Sequence, residues 1–350
     1  MHSSMGALLT VVGARPNFVK HAALSRALRS TTREILVHTG QHWDAAMSDD
    51  LFRDLHLPAP DHHLGIGAGT PVAQIARIME RLEPVLAAEK PRAVVVYGDT
   101  NSALAGALCA AKLHFPVAHV EAGLRSFDRA QPEEQNRVAI DHLSALLFAP
   151  TATAVTNLAA EGVRDGVHLV GDVMFDAVRA WAATARLPAR LEPRRYYYVT
   201  THRAETVDRK ETLAGLLDAL AALDLPAVFP VHPRTRARMT EFGLQPSGAL
   251  TLREPAGYLE SLALARDARG VLTDSGGLVR EAFFLGTPCV TLRDRTEWPE
   301  TLTRGRNRLG GTRRDTILDA LAGLPEPEAP PAETPLGDGH AADRIAELLR

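Results

Sequence analysis

The sequence has few cysteines, no long apolar segment and no strong excess of charge of either sign. Its 350 residues include only two cysteines, Cys109 and Cys289, which stand far apart without metal-ligand neighbours. Such cysteines do not form a disulfide framework, and their apolar surroundings predict buried free thiols. No apolar stretch is long enough to span a bilayer, so no membrane partner is expected. The formal net charge of -3 offers no basic face to nucleic acid.

Two kinds of signal are also lacking. The N-terminal segment MHSSMGALLTVV has neither a basic n-region nor a cleavage-like site, and its apolar run leads directly to Gly13, Arg15 and Pro16. This pattern favours a first strand over a signal peptide, so we predict a cytoplasmic protein. Neither a G-x-G-x-x-G motif with a downstream acid nor a Walker-type phosphate loop is found, which argues against a dinucleotide cofactor.

The sequence does contain strand-length apolar runs that alternate with helical patterns. Runs that are apolar throughout predict strands covered by helices on both faces, and their alternation with helices predicts βαβ units in a parallel sheet. The rhythm breaks at residues 186–195, a segment of prolines and arginines. We therefore predict an α/β protein with two Rossmann-like doubly wound domains, residues 1–185 and 186–350, facing across a cleft, with the terminal helix packing back on the first domain. The predicted strands are 7–12, 34–38, 93–97, 116–120, 145–149, 167–171, 196–200, 226–231, 249–252, 270–273 and 288–292.

Polar residues gather where the predicted strands of the first half end. Gly13 lets a ligand approach the backbone, and Arg15 and Lys20 add positive charge at the start of a helix. Solvated basic groups on an ordinary strand–turn–helix are the alternative. Asp99 and Glu121 follow two successive strands, which would bring two carboxylates to one sheet edge for proton transfer. Taken alone, Asp99 could instead cap the following helix.

Three further segments extend this pattern. Glu133 and Arg137 lie on one face of a helix that begins at a proline, and they could simply pair with each other. His202 and His232 follow successive strands of the second half, where a single histidine would more often be structural. A Ser-Gly-Gly turn, residues 275–277, opens a helix and exposes backbone amides suited to a diphosphate. Glu281, further along this helix, could accept hydrogen bonds from ribose hydroxyls.

In this order, the motifs resemble the UDP-N-acetylglucosamine 2-epimerase family of the non-hydrolysing type, whose two-Rossmann-domain fold is called GT-B. The resemblance covers nearly the whole chain. The matching stretches are GARPNFVK (13–20), TGQH (39–42), GDT (98–100), HVEAGLRS (119–126), PEEQNR (132–137), GDVMFDA (171–177), THRAE (201–205), VHPRT (231–235), DSGGLVREAFFLGTP (274–288) and RDRTEWPET (293–301).

The resemblance implies a role for each matching residue. Asp99, Glu121 and Glu133 match essential acids, and His202 matches a residue of proton transfer or diphosphate contact. The implied substrate-binding residues are Arg15, Lys20, Arg137, His232, Ser275, Gly276, Gly277 and Glu281. Gln41 and His42 fall where many members bind a second nucleotide-sugar as an allosteric activator.

The resemblance also implies a reaction. A UDP-N-acetylhexosamine would lose its C2 proton and UDP, giving a neutral 2-acetamidoglucal, and UDP would return with the C2 hydrogen on the opposite face. This chemistry requires no metal and no other cofactor. The implied partners are the UDP-sugar and a second copy of the chain in a homodimer. Three alternatives remain: a hydrolysing 2-epimerase that releases N-acetylmannosamine and UDP, a GT-B glycosyltransferase, and an inactive nucleotide-sugar sensor.

Overall fold

The computed structural model describes residues 6–29, 32–41 and 51–350. Contacts divide the chain into two compact units. The first unit comprises Met1–Ala177 together with Glu333–Arg350, and the second comprises Val178–Ala332. The division falls at Ala177, ahead of the boundary that the prolines of residues 186–195 indicated, and the terminal helix belongs to the first unit.

The first unit is built on a parallel sheet with helices on both faces, as continuously apolar strands require. The strands are β1 (Leu8–Val12), β2 (Glu34–His38), β3 (His62–His63), β4 (Ala93–Tyr97), β5 (Val117–Val120), β6 (Leu146–Ala149) and β7 (Val167–Leu169). The helices are α1 (Arg15–Leu28), α2 (Pro71–Glu89), α3 (Asn101–Lys112), α4 (Pro132–Leu143), α5 (Ala152–Ala160), α6 (Val173–Trp181, which crosses the division) and α13 (Ala341–Leu348). The strand order is β3-β2-β1-β4-β5-β6-β7.

Small side chains allow α3 to pack closely on the centre of this sheet. Its sequence, NSALAGALCAAK, is rich in alanine, and Ala103 and Ala107 are fully buried in the core of the first unit. A Cβ at Gly106 would lie 3.2 Å from Cγ1 of Val96, so a larger residue would push the helix away from β4. Because α3 is held so closely, its first turn lies at the end of β4, next to the loop that follows β1.

The segment 333–350 is bound to the first unit by backbone capping and helix packing. Helix α13 packs on α1. The carboxylate of Asp176 accepts hydrogen bonds from the first amides of α13, Ala341 N at 3.2 Å and Ala342 N at 2.9 Å. Burial raises the pKa of Asp176 to about 6, despite these two hydrogen bonds. Arg344 Nη1 donates to the carbonyl of Val170 at 3.0 Å, which ties the segment to the end of β7.

The second unit is a smaller structure of the same kind. Its strands are β8 (Tyr197–Thr200), β9 (Ala227–Pro230), β10 (Leu250–Arg253), β11 (Gly270–Thr273), β12 (Cys289–Thr291) and β13 (Asn307–Leu309). Its helices are α7 (Ala204–Val207), α8 (Lys210–Ala221), α9 (Pro233–Phe242), α10 (Tyr258–Asp267), α11 (Gly276–Phe284), a 3₁₀ segment (Pro299–Gly305) and α12 (Arg314–Ala322). The parallel strands are ordered β10-β9-β8-β11-β12-β13.

The predicted fold class, two doubly wound parallel sheets with helices, is confirmed. Each of the predicted strands is present. The short strands β3 and β13 lie at sheet edges and were not predicted. Cys109 and Cys289 are buried free thiols, as predicted. Across residues 6–29, 32–41 and 51–350, no helix combines the length and the apolar character needed to cross a membrane.

Candidate functional site

The loop after β1 is held against α3 by a close backbone approach. A Cβ at Gly13 would lie 2.1 Å from both Ser102 Oγ and Thr39 Oγ1, whose own hydrogen bond is 2.8 Å long. Oε1 of the buried Gln41 accepts from Ser102 N at 2.9 Å and from Ser102 Oγ at 2.6 Å. Gln41 therefore caps the first turn of α3. Its predicted allosteric partner His42 lies outside the described residues.

A buried ion pair joins α1 to the end of β5. Lys20 Nζ lies 2.6 Å from Glu121 Oε1, and both side chains are more than nine-tenths buried. A Cβ at Gly98 would lie 3.1 Å from that ammonium nitrogen and 3.2 Å from that carboxylate oxygen. The glycine that precedes Asp99 thus lies next to the ion pair, so the ends of β4 and β5 and the first turns of α1 converge here.

The backbone at this convergence adopts conformations that L-residues rarely take. Glu121 has a φ of +75°, and Gly98 and Gly123 have φ values of +61° and +82°. A left-handed glutamate costs about 1 kcal/mol and persists only where its surroundings fix it. The amides of Glu121 and Ala122 both donate to Phe148 O at 3.1 Å, which holds this turn to the end of β6.

Asp99 is paired with Arg137, which projects from α4. Oδ2 of Asp99 lies 2.7 Å from Arg137 Nη2 and accepts from its Nε at 2.9 Å. Asn136, the neighbouring residue, donates to the carbonyl of Asp99 at 2.8 Å. The Asp99 side chain remains a quarter exposed, unlike that of Arg137. A partly accessible carboxylate next to a fixed guanidinium can exchange a proton with a bound ligand.

Of the two adjacent glutamates in α4, Glu134 is buried and Glu133 is exposed. The Glu134 carboxylate accepts from Ser126 N and Phe127 N, each at 2.8 Å, and lies 3.0 Å from Arg137 Nη1. Burial acts to raise the pKa of Glu134, but these hydrogen bonds lower it below its ordinary value. The simple alternative of a Glu133–Arg137 pair is therefore replaced by an Asp99–Arg137–Glu134 chain.

A second buried polar cluster, which the sequence did not predict, lies beneath these loops. His119 Nδ1 lies 2.7 Å from Asp141 Oδ1, and His119 Nε2 lies 2.9 Å from Gly98 O. Asp141 Oδ2 accepts from Arg125 Nη1 at 2.7 Å and from Gly123 N at 3.1 Å. Burial acts to raise the pKa of Asp141, but the hydrogen bonds and charges of His119 and Arg125 hold it below its ordinary value.

In the second unit, the loop after β8 is organised by a buried aspartate at the end of β11. Asp274 Oδ2 accepts from Thr201 Oγ1 at 2.7 Å and from the amides of His202 and Arg203, each at 2.9 Å. His202 Nδ1 lies 3.3 Å from Asp274 Oδ1, and its side chain is 42% exposed. About two-fifths of this side chain is therefore accessible to a ligand, while Asp274 fixes the backbone of His202.

The two predicted histidines of the second unit are neighbours. The ring centroids of His202 and His232 lie 5.3 Å apart. His232 is also the N-cap of α9, since its Nδ1 accepts from Arg234 N at 3.2 Å. His232 therefore has a structural function that accounts for its position after β9, and it also lies next to His202.

The Ser-Gly-Gly turn forms the N-terminus of α11, as predicted. Ser275 is the N-cap, with Oγ accepting from Leu278 N at 3.4 Å. A Cβ at Gly276 would have its nearest neighbour at 3.7 Å, an atom of Trp298, and one at Gly277 would have Ser275 Oγ at the same distance. These are ordinary contact distances, so the packing of the second unit does not require glycine at either position. The bare amides are free to face an anion.

Two charged residues of α11, Arg280 and Glu281, are buried. Glu281, the predicted ribose ligand, is buried two turns from Ser275. Arg280 is also buried, with its guanidinium carbon 3.9 Å from the centre of the Trp298 ring and its Nε donating to Gly276 O at 3.2 Å. The arginine stacked on Trp298 thus stabilises the glycine turn through its hydrogen bond to the carbonyl of Gly276.

The structure thus brings the predicted residues together in two groups. Lys20, Asp99, Glu121 and Arg137 gather at the carboxyl ends of β4 and β5, while Arg15 is half-buried at the start of α1. His202, His232 and the turn 275–277 lie at the carboxyl ends of β8, β9 and β11. The first group can transfer protons, and the second can bind an anion. Within the described part of the chain, no cluster of three His, Cys, Asp or Glu residues is suited to a metal ion.

Comparison with known proteins gives one consistent result. The family model described as UDP-N-acetylglucosamine 2-epimerase matches residues 26–350. A protein described as a UDP-N-acetylglucosamine 2-epimerase homolog from Methanococcus maripaludis is 42% identical over 98% of this chain and 99% of its own length. The UDP-2,3-diacetamido-2,3-dideoxy-D-glucuronate 2-epimerase of Pseudomonas aeruginosa is 44% identical, again over 98% of this chain and 99% of its own length.

Solved structures agree with the sequence matches. The UDP-GlcNAc 2-epimerase of Methanocaldococcus jannaschii, crystallised in complex with UDP-GlcNAc and UDP, is 40% identical to this chain. The match has a TM-score of 0.88 and covers 98% of this chain and 99% of that one. The resemblance that the sequence motifs carried is confirmed across the full length of the fold.

Proposed function

The chain belongs to the UDP-N-acetylglucosamine 2-epimerase family, a family of isomerases, and from this premise we propose that it inverts C2 of a UDP-N-acetylhexosamine. The proposed reaction is the anti elimination of UDP followed by its re-addition. The observation that carries the proposal is the gathering of Asp99, Glu121, Lys20 and Arg137 at two adjacent strand ends, where carboxylates and cations alternate.

The C2–H bond of the sugar is very weakly acidic, so its proton is removed only if UDP leaves from C1 in the same elimination. A base takes the C2 proton, the C–H electron pair forms the C1=C2 double bond, and the C1–O bond breaks with its electron pair leaving on UDP. The neutral 2-acetamidoglucal avoids a free carbanion. In the return step, UDP attacks C1 and an acid delivers a proton to the opposite face of C2. Acids and bases must therefore lie around C2, with cations and amide donors around the diphosphate.

The first unit supplies the groups for proton transfer. We assign Asp99, Glu121 and Glu133 to the sugar, without dividing the two faces of C2 among them. Arg137 orients the Asp99 carboxylate, and Lys20 holds the buried Glu121 carboxylate in place through their 2.6 Å ion pair. Arg15 is assigned to the nucleotide-sugar because it lies at the start of α1, where the helix dipole also favours an anion.

The second unit supplies the groups for the leaving UDP. The amides of Gly276 and Gly277 and the hydroxyl of Ser275 are assigned to the diphosphate. His202 follows β8, which neighbours β11 in the sheet, and its side chain is partly exposed. The imidazole can therefore stabilise or protonate the departing oxygen. Glu281 is assigned to the ribose hydroxyls. The protein is expected to act as a homodimer, as the family resemblance implies.

The proposal is tested by incubating the purified protein with a UDP-N-acetylhexosamine in deuterium oxide. We expect deuterium at C2 and a mixture of the two C2 epimers, both still linked to UDP, because the C2 proton is exchanged during each turnover. Proton NMR of the product mixture measures both outcomes. Free N-acetylmannosamine together with UDP would indicate the hydrolysing reaction instead. The absence of C2 exchange with every UDP-sugar tested would exclude epimerisation.

The UDP-sugars to be tested should include two classes of sugar, because the relatives are named for different substrates. One relative is named for UDP-2,3-diacetamido-2,3-dideoxy-D-glucuronate, while others are named for UDP-N-acetylglucosamine. The sequence identities of this chain to these two relatives, 44% and 40%, are too similar to decide between the two substrates. Exchange rates on UDP-N-acetylglucosamine and on the diacetamido uronate, measured side by side, identify the sugar this chain prefers.

Gly277→Ala should weaken UDP binding while leaving the fold intact. The added Cβ meets only ordinary contacts, the nearest at 3.7 Å, and alanine in the first turn of α11 favours the helix. The methyl group would, however, occupy the space next to the amides assigned to the diphosphate. We expect at least a tenfold rise in the Kd for UDP, about 1.4 kcal/mol, by calorimetry.

Gly13→Ala provides the contrasting case for this measurement. Its Cβ would overlap Ser102 Oγ and Thr39 Oγ1 at 2.1 Å, so this variant should lose thermal stability. If Gly277→Ala binds UDP as tightly as the unaltered protein, the glycine turn is not the diphosphate site.

A further inference from the structure

We infer that Asp141 is a positioning residue for the two acid-bearing loops of the first unit, the loop after β4 that carries Asp99 and the loop after β5 that carries Glu121. It fixes these loops relative to each other. Asp141 lies on α4, is 1% exposed and is in none of the motifs that carry the family resemblance. The inference rests on the proposed function for the roles of Asp99 and Glu121. Its geometric part concerns only contacts within the first unit.

Asp141 reaches the Asp99 loop through His119. The carbonyl oxygen of Gly98 can only accept, so His119 Nε2 donates to it over 2.9 Å. The other ring nitrogen faces the Asp141 carboxylate at 2.7 Å, which fixes the orientation of the ring. Gly98 also donates through its own amide to Val120 O at 2.9 Å. Both polar backbone groups of Gly98 are therefore held by β5, and the direction of Asp99 follows from them.

Asp141 reaches the Glu121 loop directly. Its second oxygen accepts from Gly123 N at 3.1 Å, and Gly123 has a φ of +82°. The same oxygen accepts from Arg125 Nη1, which also donates to Leu124 O at 2.7 Å. These contacts fix the turn that holds Glu121 at its own positive φ. One buried carboxylate is thus linked to both the Asp99 loop and the Glu121 loop.

The buried carboxylate of Asp141 has an ion-pair partner within the first unit. Arg125 lies between Asp141 and Glu161, with two 2.7 Å contacts to the Glu161 carboxylate. A carboxylate buried as fully as Asp141 is retained only where it is paired and hydrogen-bonded. Because its carboxylate contacts Gly123 and Arg125 of the Glu121 loop and the His119 ring that holds Gly98, we assign it to the placement of those loops.

The test compares Asp141→Asn with Asp176→Asn. Both residues are carboxylates of the first unit that accept backbone amides, but the amides that Asp176 accepts are those at the start of α13. An asparagine at 141 cannot accept from His119, Gly123 and Arg125 together. We expect kcat to fall about a hundredfold in Asp141→Asn with KM and the Kd for UDP unchanged, since displacements of about 1 Å have effects of that size. Asp176→Asn should keep kcat within about twofold while losing thermal stability.

Hydrogen–deuterium exchange of the free protein provides a readout that needs no substrate. In Asp141→Asn, the amides of residues 98–100 and 121–125 should exchange faster, whereas in Asp176→Asn the faster exchange should be confined to residues 341–349. As a further arm, His119→Gln, which keeps a donor near the Nε2 position, should retain more kcat than His119→Ala.

If the unaltered protein places no deuterium at C2, the proposed function fails, and the amide exchange still decides the positioning role. If Asp141→Asn shows unaltered amide exchange in both loops, or keeps full kcat in an active protein, the positioning role is overturned.

Discussion

Replacing Asp99 by asparagine is expected to lower the rate of C2 exchange by roughly a thousandfold, the middle of the range for a lost general acid or base. The amide has nearly the same shape but cannot take or deliver the proton. Arg137 would lose its 2.7 Å contact with the carboxylate and keep the one to Glu134, so its position should change little. The measurement is the rate of deuterium incorporation at C2, with the Kd for UDP determined in parallel.

An exposed aspartate of the same unit supplies the control for this variant. Asp165 is exposed, and Asp165→Asn should leave both the rate and the Kd unchanged. A loss of UDP binding in folded Asp99→Asn would show that the residue serves the nucleotide and not the proton. Full exchange activity in this variant would remove Asp99 from the mechanism.

The second large effect concerns the buried Lys20–Glu121 pair. Lys20→Met should lower the free energy of unfolding by about 3 kcal/mol, because it leaves the Glu121 carboxylate buried without its ammonium partner at 2.6 Å. It should also remove catalytic exchange, since Glu121 would lose the partner that fixes the position of its carboxylate. Denaturant unfolding and C2 exchange measure the two consequences separately.

The double variant Lys20→Met/Glu121→Gln separates stability from activity. Removing the second charge as well should restore at least about 1 kcal/mol relative to Lys20→Met, because the uncompensated carboxylate is gone. Activity should stay absent, since neither the base nor its cation is present. Lys112→Met, at an exposed position in α3, should change stability by less than about 0.5 kcal/mol. A double variant that regains exchange would exclude both residues from catalysis.

The fold was predictable because its signal is local. A strand such as β4, AVVVY, is apolar throughout and buried along its whole length, so its sequence alone identifies it. The edge strands β3 and β13 carry no such signal. β3 consists of two histidines, and β13 reads Asn-Arg-Leu with only its first residue buried. Pairing at a sheet edge, which burial does not enforce, leaves little trace in the sequence.

The candidate site was predictable in its positions but not in its pairings. Strand ends indicated Asp99 and Glu121, because polar residues interrupt apolar runs there. The partner of Glu121 is Lys20, which is separated from it by 101 residues, and only the strand order β1-β4-β5 brings them together. Periodicity within a helix describes neighbours three or four residues apart and contains no information on such pairs.

Asp141 was missed for a related reason. On α4 it reads as one polar residue of an amphipathic helix, four positions after Arg137. The signal that could have indicated it is its place next to Ile140, on the buried side of the helix, where an unpaired carboxylate would be costly. Burial has to be known before that cost can be recognised, so the sequence alone gave no reason to select it.

The return of residues 333–350 to the first unit sets the order in which the protein can be made. A ribosome completes the second unit at residue 332, before it has synthesised the segment that packs against α1 and receives the Asp176 cap. The acid-bearing first unit has to wait, incomplete, until translation has delivered α13.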